Sequence, residues 1–466
     1  MNSHPTTNPR IVLLCDGTWC GRETGTRTNI YLLAKLFGVN IPNADTEEPC
    51  FRQYDPDAPP HKQVCVRYRH GVGLGSSFLD YLFNGVTGQD LAAECIAVYK
   101  YIVNHYTSPE HEIWMFGLSR GAYTVRCVAG MINNCGIIKR DGLDDGETDM
   151  LCQEIYKIWK SDDEINKPHS RQMRDFRRRM SWPLIGDERQ GEERLTPPVR
   201  FMGLFDTVGS LGIPQLKGGV GFEWPQFHDD IVSSVVQDVC HLVSLHDRFY
   251  VFQPCLARRK GDKNQVGIDQ EWIPGVHYDL GRQRFQFFRT GSGLWERLAG
   301  LIASIPILGS GKIIEPNTVL SDLALWKMLQ RIDRHDLGHV LIPQSVLTSE
   351  MANLAGGMAD GAGAYTHRAM VGSGDVYDRI IEYGPFGSRI GAIVLFVAGS
   401  LGLWELFFDR RDRLIPDDKA NVYPLHRPDS SIPLAGSVAQ LGEVTEKRYP
   451  SKTPWTWALR TGRPVP

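Results

Sequence analysis

Apolar positions in this chain come in short unbroken runs and in helical stripes, and the way the two alternate predicts the first half of the fold. The run Ile11-Val12-Leu13-Leu14-Cys15 stops at Asp16-Gly17-Thr18. A segment that is apolar on both faces and closed by turn residues predicts a strand inside a sheet. Val64 to Tyr68 predicts a second strand, leading into Gly71-Val72-Gly73-Leu74-Gly75. Between Gln89 and His105, Leu91, Cys95, Val98 and Ile102 recur at the spacing of a helix with one face on a sheet. Glu112 to Phe116 predicts another strand and runs directly into Gly117-Leu118-Ser119-Arg120-Gly121, after which Ala122, Val125, Val128, Ala129 and Met131 return to helical spacing. The sheet resumes at Val199 to Phe205 and ends at Asp206-Thr207-Val208-Gly209.

Strands alternating with helices predict a mainly parallel sheet covered on both faces. Residues 139 to 198 are charged and polar, including the arginine-rich stretch Arg171 to Arg179, and read as an insertion whose basic residues lie on a solvated helix face. Beyond Gly281 the alternation fades. Leu294, Leu298, Leu301, Ile302 and Ile305 form a helical stripe closed by Pro306, and Asn317 caps a further helix carrying Leu320, Leu323, Met328 and Leu329. Ile390 to Phe408 is apolar apart from Ser400 and Glu405, with Arg389 and Arg410-Arg411 flanking it. Three readings fit that segment: a buried or cap helix, an interfacial segment, and a membrane span. The expected organisation is a catalytic core over 1–285, with the insertion at about 139–198, and a C-terminal helical cap and tail over 286–466.

Composition narrows the function. With 466 residues, 42% hydrophobic and 23% charged, the chain can bury a substantial core. Lys plus Arg number 51 against 54 Asp plus Glu, a net charge of -3, so nucleic acid is not an expected partner. The glycines at 71, 73 and 75 lack the Lys-Ser/Thr step of a Walker nucleotide loop. Ten cysteines include no C-x-x-C pair, which removes zinc-ribbon and thioredoxin-like readings and leaves buried thiols. Met1 to Arg10 is polar, with Pro5 and Pro9 and no apolar run of a secretory signal. The expectation is therefore a cytoplasmic protein with reduced cysteines, with membrane association left open by the apolar segments.

The sharpest local feature is Gly117-Leu118-Ser119-Arg120-Gly121 between a strand and a helix. A nucleophile elbow needs a serine in a strained turn with small residues on both sides, so that its hydroxyl projects and the following N–H groups face a developing oxyanion. A serine hydroxyl also needs a base, itself oriented by a carboxylate, and in such enzymes the chain order is Ser, acid, His. Asp206 stands where an apolar strand stops, the place for that acid; the competing reading is a cap on the turn that follows. Among the histidines after Asp206, His277 is the best placed, in the loop Trp272-Ile273-Pro274-Gly275-Val276-His277-Tyr278-Asp279, with Asp279 a rival acid or supporting partner. His241 and His246, beside Val243 and Leu245, read as structural histidines on a helix. Gly17 N–H and Arg120 N–H are the candidate oxyanion donors. His228-Asp229-Asp230 and His277-x-Asp279 are the nearest approaches to a metal cluster, and both read as polar loops; no metal or cofactor is expected.

Four segments together carry a family resemblance: Val12 to Trp19 with its Cys-Asp-Gly-Thr-Trp, Phe116 to Arg126 with its Gly-Leu-Ser-Arg-Gly, Phe201 to Ser210 with its Phe-Asp-Thr-Val-Gly-Ser and Glu271 to Asp279 with its Trp-Ile-Pro-Gly-Val-His-Tyr-Asp, with Leu320 to Leu325 a weaker match. On these the chain resembles the α/β-hydrolase family that includes the phospholipase effectors of bacterial type VI secretion, also present in fungi. The resemblance implies an α/β-hydrolase core, Ser119 as nucleophile, Asp206 as triad acid, His277 as base, and a carboxylic ester of a glycerophospholipid or related lipid as substrate. Two alternatives accompany it: a soluble esterase or thioesterase acting on a small substrate, and a catalytically silent membrane-associated scaffold that keeps the fold.

Overall fold

The computed structural model describes residues 8–17, 27–41, 50–52, 63–71, 88–183, 197–209, 215–216, 222–223, 231–247, 253–259, 266–286, 313–314, 316–364, 412–417, 419–423 and 452–463. Eight strands build one sheet: β1 (Arg10–Cys15), β2 (Cys50–Arg52), β3 (Val64–Arg69), β4 (Glu112–Leu118), β5 (Val199–Phe205), β6 (Val236–Ser244), β7 (Gly267–Ile273) and β8 (Asn421–Val422). Their spatial order is β8-β7-β6-β5-β4-β1-β3-β2, and every pairing is parallel except that of β2 with β3. The chain moves from β1 outward to β3 on one side and to β4 on the other. This makes the carboxyl ends of β1 and β4 a topological switch point, where open α/β sheets place their ligands.

The unbroken apolar runs have the cause expected of them. In β1, Val12 and Leu14 enter one core cluster while Ile11, Leu13 and Cys15 enter the other, so both faces of the strand are covered. Helices α2 (Gly88–His105), α3 (Arg120–Cys135) and α4 (Asp145–Lys160) cover one face. On the other lie α1 (Asn29–Leu36), α7 (Thr318–His335) and the aromatic residues Trp114, Phe116 and Phe201. A short α6 (His277–Gly281) follows β7. The α/β architecture with a mainly parallel sheet is therefore present as expected.

Within the charged insertion, α4 begins with a capping box in which Asp144 accepts from Glu147 N–H and Glu147 accepts from Asp144 N–H. The arginine-rich stretch forms α5 (Arg171–Met180), where Arg178 and Arg179 are exposed. Arg177 instead turns inward and donates to Asn134 O at 2.8 Å. Residues 184–196 of the insertion lie outside the described residues.

Past residue 286 the described chain takes part in the same core. Asn317 caps α7, accepting from Leu320 N–H at 3.2 Å, and Leu320, Leu323, Met328 and Leu329 are buried against the sheet. Lys327 and Arg331 on α7 meet Glu271 on β7 at 2.7 and 2.5 Å, and Arg331 reaches Asp269 at 3.0 Å. Further along, α8 (Gln344–Ala364) packs on α7. β8 then extends the sheet by pairing with β7, and α9 (Thr453–Thr461) buries Trp457 in the α7-side core. The stripes at Leu294 to Ile305 and at Ile390 to Phe408 lie outside the described residues. Among the described residues no helix is long and apolar enough to cross a membrane.

One expectation is corrected. His241 lies in strand β6, not on a helix, and His246 follows the strand. Val236, Val239, Cys240, Leu242, Val243 and Leu245 form an apolar run too short for periodicity to separate helix from strand, and pairing with β5 and β7 on both sides decides it. The structural role expected of His241 follows from its partners. Its Nε2 accepts from Thr207 N–H at 3.2 Å, and Gln270 Oε1 accepts from its Nδ1–H at 3.0 Å. Burial, reinforced by the charge of Arg126, pushes its pKa down to about 3, so the folded protein keeps this ring neutral. The unfolded chain takes up the proton near pH 6.5. Between those two values the unfolded state binds more protons, so stability falls as pH falls. The expected slope from this residue is about 1.4 kcal/mol per pH unit. Denaturant unfolding of the protein and of His241→Gln at pH 7, 6, 5 and 4 should show the parent losing stability faster than the variant; parallel losses would contradict this account.

Candidate active site

The carboxyl ends of β1, β4, β5, β6 and β7 deliver the candidate residues to one edge of the sheet. Ser119 follows β4 with φ 55° and ψ -119°, a conformation unfavourable for a residue with a side chain. Both flanking glycines are required by space. A Cβ on Gly117 would stand 2.4 Å from Ala122 Cα, and one on Gly121 would stand 2.2 Å from Cys15 O. The second clash shows how closely helix α3 starts against the end of β1. The elbow is pinned to β5 as well: Ser119 N–H donates to Phe205 O at 2.9 Å, and Ser119 O accepts from Val208 N–H at 3.4 Å. Ser119 thus sits beside the turn that carries Asp206.

Asp206 is fully buried and has a positive φ of 41°. Its carboxylate gathers five donor contacts. His277 Nδ1 lies 2.7 Å from Oδ2. Arg413 donates Nη1 to Oδ1 at 2.6 Å and Nη2 to Oδ2 at 2.9 Å. Ser244 adds its N–H to Oδ1 at 2.9 Å and its hydroxyl to Oδ2 at 3.3 Å. Burial opposes the charge, but the Arg413 guanidinium and the His277 hydrogen bond together hold the carboxyl well below the usual carboxylate range. Asp206 is therefore an acceptor only. That puts the proton of His277 on Nδ1 and leaves its Nε2 lone pair for another group.

The loop expected around His277 is a turn that opens into α6, of which His277 is the first residue. The neighbouring loop after β6 fixes it: His277 N–H donates to Asp247 Oδ2 at 2.9 Å, and Gly275 N–H donates to His246 Nδ1 at 3.0 Å. Asp279 braces this turn, its oxygens accepting from Val276 N–H at 3.0 Å and Asn317 N–H at 2.8 Å. The structure thus joins Asp206 to His277 directly. Among the described residues Ser119 Oγ makes no hydrogen bond to His277, so the serine is tied to this pair through the backbone of β5; in sites without substrate such contacts are often open and tighten on binding.

Arg120 is the first residue of α3, where the helix supplies no acceptor for its N–H. Gly17 N–H is held by Asp16 Oδ1 at 2.8 Å. Asp16 Oδ2 in turn accepts from the hydroxyls of Thr28 at 2.6 Å and Tyr68 at 2.9 Å. Among the described residues no group of His, Cys, Asp and Glu has the arrangement of a metal site, and His228-Asp229-Asp230 lie outside them.

Sequence reasoning missed Asp247, Ser244 and Arg413. Asp247 ends an apolar run in the same way as Asp16 and Asp206, a signal that was there to be read. Arg413 had none: it belongs to the basic flank of the Ile390 segment, and it approaches Asp206 only through tertiary folding across 207 positions of chain.

A yeast protein, Uncharacterized protein YEL023C of Saccharomyces cerevisiae, is 29% identical over 262 residues. That stretch is 53% of this chain and 32% of the yeast protein, so the chain spans about a third of that relative's length. A crystal structure of an uncharacterized protein from Pseudomonas aeruginosa aligns with 83% of this chain and 56% of its own, at 14% identity and a TM-score of 0.35. The model of the catalytic domain of Tle1-like phospholipase effectors of type VI secretion systems matches residues 9–329, which include Ser119, Asp206 and His277, and the chain therefore belongs to that family.

Proposed function

We propose that this protein is a serine hydrolase that cleaves a carboxylic ester of a phospholipid. The observation that carries the reading is the 2.7 Å contact of His277 with the buried Asp206, beside an elbow that holds Ser119 at a positive φ. Membership in a phospholipase family supports the lipid as substrate class.

In this mechanism Ser119 Oγ attacks the ester carbonyl carbon while His277 Nε2 takes its proton. The imidazolium so formed is stabilised by Asp206, whose charge Arg413 maintains. The negative oxygen of the tetrahedral intermediate meets Arg120 N–H at the positive end of α3. Gly17 N–H serves as the second donor when it turns from Asp16 Oδ1. Collapse of the intermediate breaks the ester C–O bond, and His277 returns its proton to the leaving alcohol. Water then attacks the acyl-serine by the same route in reverse, releasing the carboxylic acid.

Two outcomes test this reading. Hydrolysis of phospholipid vesicles and of short-chain nitrophenyl esters should both be followed, and Ser119→Ala should lower the vesicle rate by about a thousandfold or more. Equal rates in parent and variant would remove Ser119 as nucleophile. Turnover of short esters alone would favour a small-substrate esterase, and no turnover by folded protein would favour a silent scaffold. Arg413 supplies the second test. Because its charge keeps Asp206 ionised, Arg413→Gln should move the acid limb of kcat/KM upward by about one pH unit or more. An unmoved limb would show that Arg413 braces the fold without tuning the acid.

A further inference from the structure

His277 is pinned at two points by carboxylates that follow two different strands. Asp206, after β5, takes its Nδ1 at 2.7 Å. Asp247, after β6, takes its backbone N–H on Oδ2 at 2.9 Å. The two contacts constrain different things. A bond to Nδ1 orients the imidazole, yet ring and main chain can still shift together about the χ angles that join them. A bond to the N–H fixes the main chain from which the side chain springs. The reacting nitrogen, Nε2, lies at the far end of the ring, so a displaced backbone is carried directly to the place where the proton must be taken.

Asp247 is delivered by a short run that lies along the turn carrying the base. Leu245 N–H donates to Ile273 O at 2.9 Å and His246 N–H to Gly275 O at 3.1 Å, while Gly275 N–H returns to His246 Nδ1 at 3.0 Å. Gly275 can make this exchange because its φ of 112° is one that glycine adopts without strain. At its other end the same run presents Ser244 to Asp206, through its N–H at 2.9 Å and its hydroxyl at 3.3 Å. Ser244 and Asp247 are fully buried, and His246 is nearly so. Burying a carboxylate costs free energy that its hydrogen bonds must offset, and a turn can be closed without one. Here that carboxylate reaches the residue that carries the base.

We propose that Asp247 is a positioning residue for the hydrolysis, acting on Ser119 through His277. Its Oδ2 sets the start of α6, and with Asp206 on Nδ1 this fixes the direction in which Nε2 meets the Ser119 proton. Ser244 and Asp247 stand in one run, so the end of β6 holds acid and base at a set separation. Asp247 neither gives nor takes a proton in the reaction. The inference rests on the ester-hydrolase reading above.

The test uses full-length protein and a short-chain nitrophenyl ester, with kcat and KM read separately. Asp247→Ala should lower kcat by about tenfold or more and leave KM within about threefold, because it displaces the base and leaves the substrate's contacts in place. Asp247→Asn, whose amide oxygen still accepts from the N–H, should keep kcat within about threefold of the parent. A far-downfield proton NMR signal, assigned to His277 Nδ1–H by its loss in His277→Gln, gives a readout that needs no turnover. It should persist in the parent and in Asp247→Asn, and be lost or broadened in Asp247→Ala. An unchanged kcat in Asp247→Ala, an Asn variant as impaired as the Ala variant, or an unchanged signal in Asp247→Ala would overturn the proposal. Should Asp247→Ala fail to fold by circular dichroism, Asp247→Leu, similar in size and without an acceptor, takes its place under the same expectations. Failure of the hydrolase reading looks different. In that case Ser119→Ala matches the parent or no ester is turned over, and the proton signal still decides whether Asp247 holds the ring; failure of this inference alone leaves Ser119→Ala silent and Asp247→Ala active.

Discussion

The buried charge of Asp206 is the constraint around which this structure is organised. A carboxylate with no exposure to water is stable only where hydrogen bonds and opposite charge replace its hydration. Here the replacement comes from three parts of the chain: Ser244 at the end of β6, His277 after β7, and Arg413 from the C-terminal region. Each supplier must reach the same few ångströms, so the carboxylate acts as a tie point for the sheet's carboxyl edge. Thr453 extends the tie by donating its hydroxyl to Arg413 O at 2.8 Å, linking α9 to the same knot.

The strained backbone of the site depends on this tie. Ser119 and Asp206 both have positive φ without being glycine, at a cost on the order of 1–3 kcal/mol each. Such conformations persist where the surroundings over-determine them. Ser119 is held between the hydrogen bonds to β5 and the close approach of Gly121 to the end of β1; Asp206 N–H is bonded to Leu242 O of β6 at 2.8 Å while its side chain is fixed by its five donor contacts. The register of the parallel strands therefore does more than build a core, because it sets adjacent strand ends level so that one turn can brace the next.

The distribution of buried cations divides the molecule. On the α7 side of the sheet Arg10, Lys327 and Arg331 are matched with carboxylates, and Arg413 is matched at the sheet's carboxyl edge; these pairs hold elements together. On the α2 side Arg67 meets aromatic rings and a backbone carbonyl, and Arg126 and Arg177 likewise donate to backbone carbonyls. The cysteines follow a simpler logic: all nine described are buried, and burial raises the pKa of Cys65 to about 11 and of Cys135, Cys152 and Cys240 to about 12, which keeps these thiols protonated and unreactive.

Much of this was legible in the chain itself. Runs such as Ile11 to Cys15 and Val199 to Phe205 have no polar face to offer water, so they determine strands buried on both sides, and the glycines around Ser119 admit the elbow because larger residues would strike Ala122 and Cys15. An acidic residue at the end of an apolar strand was a local signal, and it pointed to Asp206. Local pattern could not determine whether Val236 to Leu245 would be helix or strand, because that choice rests on hydrogen bonds to β5 and β7. Nor could it reveal Arg413, whose neighbours in sequence say nothing about a carboxylate 207 positions away. Sequence periodicity records which faces must leave water; only tertiary packing decides which distant groups meet there, because the energy of a buried ion pair comes from a juxtaposition that no local stretch of chain contains.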